Sequence, residues 1–212
     1  MTEDEIRARL VRVFAALDDK SSFKPEDVKV EVRAVEDGLV FEHDFRSGRS
    51  QANLDTDAAS IINEIMGLCD RTKAWLKKRG DDPKKVDDFI KSELAVALVH
   101  DLANADKHGQ SGRSPISGHK PKLVKVSRAT TLKYDPSTGT YAETGQYIGP
   151  TLDTWTGQIV GSGTSTNLET VLVSDIEDEH GNKIGELQKV LPDAAHRWEQ
   201  FLVSEGLVLN QT

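Results

Sequence analysis

Residues 82–109, DPKKVDDFIKSELAVALVHDLANADKHG, decide how this chain folds. Asp82 followed by Pro83 is a helix start. An aspartate oxygen accepts from the first free N–H groups, and proline's fixed φ suits the first helical position. Gly109 offers the residue type that ends a helix most readily. Between them Val86, Ile90, Leu94 and Ala97 recur at helical spacing, and Asp101, Asn104 and His108 continue in the same phase. At 100° per residue these positions all fall within about 80° of one another. The spacing predicts a helix over 83–108 whose inward stripe turns from apolar to polar, while Leu98, Leu102 and Ala105 keep its flank apolar. Burying a polar group without a partner costs about 1–3 kcal/mol, so the polar half of the stripe needs partners or water.

Upstream, Leu54, Ala58, Ile61, Ile62, Ile65, Leu68, Cys69, Trp75 and Leu76 form the apolar side of a long helix over 53–79, stopped by Lys77-Lys78-Arg79-Gly80. The short connection makes these two helices an antiparallel hairpin. A first helix over 3–18 opens with a capping box, Thr2 and Glu5, ahead of Ile6, Leu10, Val13 and Phe14. Leu191, Ala194, Trp198, Phe201 and Leu202 mark a last helix over 189–205. Those two outer helices are the natural cover for the hairpin, giving a four-helix bundle. The remaining character is β. Segment 28–45 is a hairpin about Glu36-Asp37-Gly38. Segment 122–187 holds strands at Leu123–Leu132, Thr140–Ile148, Trp155–Val160 and Glu169–Ile176, with turns at Asp135–Gly139 and His180–Asn182. Gln110 to Pro121 is expected to be an exposed loop. The expected fold is α+β over residues 1–212 as a single domain, a helical bundle with an attached antiparallel β-sheet shared by both strand groups.

Composition narrows the function classes. The one cysteine, Cys69, excludes a disulfide framework and any cysteine-built zinc module. No apolar run is long enough for a membrane span, and the acidic start Met1-Thr2-Glu3-Asp4-Glu5 is unlike a secretory signal, so a cytoplasmic, soluble protein is expected. The net charge of −8 is unevenly spread. Residues 71–133 carry 15 basic and 7 acidic side chains, a net of +8, between acidic flanks of −7 and −9. Long-range attraction to nucleic acid or an anionic membrane is not expected of the whole chain, although the middle third could present a basic face. The plain alternative for Lys77, Lys78 and Arg79 is a helix C-terminus, where cations suit the dipole.

The segment Asp101–Gly109, DLANADKHG, following an apolar helix and a basic helical hairpin, resembles the Asp-Leu-x-Asn-x-x-Lys-His element of uncharacterised bacterial and phage proteins. These in turn resemble HEPN domains, helical bundles many of which are metal-independent endoribonucleases or nucleotide-transfer partners. The resemblance covers about residues 50–110 and the last helix, and has no counterpart for 122–187. It implies a nucleic-acid-directed, endoribonuclease-like protein of a defence or toxin context, with RNA as partner and His108, Asn104, Asp101 and Lys107 as the catalytic set. His108 would move the proton of a ribose 2′-OH attacking its own phosphate. Asn104 would orient the imidazole, Asp101 would stabilise its charged form, and Lys107, Arg71 or Arg197 would meet the phosphorane charge. The family's ribonuclease signature places an arginine four to six residues before the histidine. Here Asn104, Ala103, Leu102 and Asp101 precede His108.

That missing arginine favours the alternative, a non-catalytic ligand- or partner-binding or scaffold module whose polar cluster holds a loop or ligand, while the basic middle third favours the nucleic-acid-directed reading. A homodimer is compatible with either reading, and no membrane partner is expected. No cofactor or metal is expected, because Asp101 and His108 stand about 10 Å apart along the helix. Gly157–Gly163 lacks the Lys-Ser/Thr of a phosphate loop. Cys69, Trp75 and Trp198 read as core, and His43, His119, His180 and His196 show no local partners.

Overall fold

The computed structural model describes residues 2–17, 29–35, 38–44, 50–108, 114–132, 134–135, 140–141, 151–152, 159–160 and 168–209; for 29–44, 106–108 and 128–171 it describes the backbone only. In chain order the elements are α1 (Glu3–Leu17), β1 (Lys29–Val35), β2 (Gly38–Asp44), α2 (Gln51–Arg79), α3 (Lys84–Ser92), α4 (Leu94–His108), β3 (Lys122–Leu132), β4 (Tyr134–Asp135), β5 (Thr140–Tyr141), β6 (Thr151–Leu152), β7 (Ile159–Val160), β8 (Leu168–Glu177), β9 (Lys183–Glu186) and α5 (Leu187–Ser204). The mixture is α+β and mostly helical. The chain divides into two compact units, one comprising Met1–Asp19, Gln51–Ser127 and Leu172–Thr212, the other Lys20–Ser50 and Arg128–Val171.

The first unit contains the five described helices. Its helix starts follow from local chemistry. Thr2 N donates to Glu5 Oε2 (2.6 Å) and Glu5 N to Thr2 Oγ1 (3.3 Å), a reciprocal capping box. Asp82 Oδ1 accepts from Lys84 N at 2.9 Å, with Pro83 already helical at φ −67. Gly80 ends α2 at φ 85, where a side chain would be strained. One contiguous core runs through the unit, from Ile6, Leu54, Ile65, Leu68 and Trp75 to Leu98, Leu187, Trp198 and Leu202. Cys69 is buried within it, and burial pushes its thiol pKa up.

The helix expected over 83–108 is two. Glu93 leaves the helical conformation at φ −112 and ψ 104, separating α3 from α4. Ser92 Oγ donates to Phe89 O at 2.9 Å, a local bond that competes with the backbone ladder. The short α3 is held by rings. Phe89 stacks on Phe201 at 4.3 Å and meets Trp198 edge-on at 4.9 Å.

The strands do not share one sheet, as had been expected. Among the described strands β1 and β2 pair with each other, in a register that closes at Val35 and Gly38, while β3, β8 and β9 form a separate sheet in the order β3-β8-β9. The tight connection lets β1 and β2 satisfy one another locally at little loop-closure cost. In the other sheet β3 is an edge strand, and Val126 O accepts from Gln51 Nε2 of α2 (2.8 Å) rather than from a further strand. In the second unit β4 pairs with β5 and β6 pairs with β7; the turn expected at Asp135–Gly139 lies, beyond Asp135, outside the described residues. The rest of the strands expected over 140–148 and 155–160 lies outside the described residues. The turn at His180–Asn182 is built around Asp178, whose Oδ1 accepts from His180 N and Asn182 N, each at 2.8 Å.

Candidate functional site

Asp101 lies in the second half of α4 and is 7% exposed. Both of its oxygens are occupied. Oδ1 accepts from Ile116 N at 3.1 Å; Oδ2 accepts from Ser117 N at 2.8 Å and from Ser117 Oγ at 2.7 Å. Burial alone would raise the pKa of this carboxyl. The bonds from His100, from the Ser117 hydroxyl and from the two backbone N–H groups together outweigh burial and hold it below the usual aspartate value. The loop expected to be exposed over Gln110–Pro121 is therefore tied down in its second half. Ile116 and Ser117 are half-buried, and Pro121 is buried.

His100 was not among the expected site residues, yet it completes the cluster. Its Nδ1 lies 3.2 Å from Asp101 Oδ1 and 3.1 Å from Asn104 Nδ2, which is also 3.4 Å from Nε2. Asn104 is thus brought beside His100, half-buried, rather than engaged by Asp101. Lys107 and His108 occupy the last turn of α4, and their side chains lie outside the described residues. Arg71 donates to Gly67 O at 3.3 Å and Arg197 pairs with Asp193 at 3.2 Å and Glu93 at 3.5 Å, so neither is a partner of this cluster. The signal that could have found His100 is its place four residues before Asn104, at the edge of the polar stripe. Ser117 had no such signal, because its contact spans sixteen residues.

The clamped loop leads directly into a cleft of about 660 Å³. One wall is α2, from Gln51 and Asp55 to Ile62 and Asn63; another is Leu102 and Ala105 of α4; the third is the entry to β3, from Pro121 to Val126. Its floor is apolar, with Ile62, Leu102 and Val126 all nearly inaccessible to solvent. Asn63 Nδ2 donates to Ala59 O at 2.9 Å, leaving its buried Oδ1 without a partner. Lys125 stands on the β3 wall at φ 45, the one non-glycine positive φ among the described residues. Such a backbone costs about 1–3 kcal/mol.

Part of the basic excess of the middle third is engaged in ion pairs. Lys85 pairs with Glu205 at 2.8 Å, Lys122 with Glu177 at 3.3 Å, Lys73 with Asp87 at 2.6 Å and Arg79 with Asp81 at 3.1 Å. Arg79 also covers the Trp75 ring at 4.5 Å. Acids from the C-terminal third thus neutralise part of the excess. Among the described residues no group of three or more His, Cys, Asp or Glu could hold a metal ion, and no helix is long and apolar enough to cross a membrane. Comparison with protein-family models, curated proteins and solved structures returned no match.

Proposed function

We propose that the first unit is a non-catalytic ligand-binding module whose seat is the cleft between α2, α4 and the start of β3. The observation that carries this reading is the occupancy of Asp101. Four donors already engage its two oxygens, and three of them belong to Ile116 and Ser117. Three of its four bonds thus go to one loop segment and the fourth to the neighbouring His100. The carboxylate's work is to hold the segment that becomes the cleft's third wall. Leu102, on the flank of the same helix, forms part of the apolar floor, so α4 both clamps the wall and lines the seat.

The test has two arms on the full chain. Small organic fragments titrated against the labelled protein are expected to move the amide signals of Ile62, Leu102 and Val126 together. RNA incubated with the protein is expected to remain intact. RNA cleavage that disappears in His108→Ala, with melting temperature unchanged, would replace this reading with the HEPN-like endoribonuclease.

A further inference from the structure

Resting on that reading of the cleft, we infer that Lys125 makes it selective for an amphipathic organic anion, with the apolar body against the half-buried Ala59, Ala105 and Leu123 and a carboxylate or phosphate on the Lys125 ammonium. Three independent features of β3 converge on this residue. Its backbone is left-handed in the middle of a strand, a conformation that glycine adopts freely and lysine does not. Glycine would satisfy the backbone better, so the side chain is retained against a local cost.

The two valines that flank Lys125 are covered unequally. In a regular strand Val124 and Val126 share a face. Here Val124 is 37% exposed and Val126 only 2%. The left-handed backbone of Lys125 stands between these two unequally covered valines.

Charge completes the argument. Lys122, on the same wall, is already paired with Glu177 at 3.3 Å, whereas Lys125 meets no acid among the described residues. The acid in the lining, Asp55, is on the α2 wall and accepts the Gln51 amide at 2.9 Å. Lys125 is exposed, so an anionic group there would meet an uncommitted cation at the rim of the apolar floor, its charge-assisted bond adding to the burial of the apolar body.

The test uses three probes with one apolar body: 4-phenylbutyrate, 4-phenylbutanol and 4-phenylbutylammonium, each titrated into the full chain by calorimetry and by amide shifts. The butyrate is expected to bind at least about tenfold more tightly than the alcohol, and the ammonium more weakly than both. Lys125→Gly keeps the kink and relieves it, so its melting temperature should rise while butyrate affinity falls about tenfold to that of the alcohol. Lys125→Arg should keep the anion preference. Equal binding of butyrate and alcohol, or a Lys125→Gly variant that still prefers butyrate, would overturn the assignment of Lys125 and leave the binding module standing. Cleft signals unmoved by any of the three probes would overturn the binding module as well.

Discussion

The guanidinium of Arg9 lies where a β-carbon on Gly67 would have to stand. From α1 it reaches across α2 and donates to Asn63 O and Glu64 O, both at 2.8 Å, with Glu64 Oε2 3.3 Å from its Nε. Gly67 is therefore a passage for another helix's side chain, and that gives a test with a sign. Gly→Ala inside a helix ordinarily stabilises by about 1 kcal/mol. Here Gly67→Ala should destabilise by about 1–2 kcal/mol, because the tip of Arg9 is displaced from two carbonyls. In an Arg9→Ala background the same substitution should turn stabilising. Urea unfolding of the four members of this cycle measures the reversal.

Asp101→Ala should cost about 2–4 kcal/mol, since it leaves the N–H groups of Ile116 and Ser117 without their acceptor. The pH dependence has a definite direction. The folded carboxyl titrates below its ordinary value, so the stability it adds is complete above about pH 4 and is lost as pH falls further through the folded-state pKa. Acid unfolding monitored by circular dichroism should be less steep for Asp101→Asn than for the unsubstituted chain across that range.

Thr72 is fully buried on α2, and its hydroxyl has no hydrogen-bond partner. Valine has nearly the same shape without the hydroxyl. Thr72→Val is expected to raise stability by about 1 kcal/mol, read as a higher urea midpoint with the slope unchanged.

Phe89 ties α3 to α5 through its ring, stacked on Phe201 and edge-on to Trp198. With nine residues, α3 is too short to persist on its own. Phe89→Ala should cost about 3 kcal/mol and raise hydrogen exchange in 84–92 well above that of α2. Uniform exchange across both helices would contradict this role for Phe89.

Where a feature depends on residues within a turn of one another, the sequence alone determined it. Thr2 and Glu5 close a capping box because three residues separate them, and Asp82 reaches Lys84 N for the same local reason. The apolar stripes that bury Trp75, Ile65 and Trp198 are equally legible, because a helix's period dictates which side chains share a face. The polar continuation at Asp101 announced a buried carboxylate in need of partners, but not which ones. Those partners lie fifteen and sixteen residues further on, in a Gly-, Ser- and Pro-rich segment whose composition marks it only as a loop. The break at Glu93 had no glycine or proline to announce it.

Only the tertiary structure decided the cleft. Leu123-Val124-Lys125-Val126 alternates like an ordinary strand and puts both valines on one face. The structure separates them at Lys125, burying Val126 in the core and leaving Val124 exposed. Periodicity describes what a backbone does when its neighbours are uniform. Here the neighbours are α2, which takes Val126 O through Gln51, and Ser174, which takes Val124 O at 2.9 Å. Which carbonyl meets which partner depends on how distant segments pack, and that packing free energy outweighs the strand's local preference.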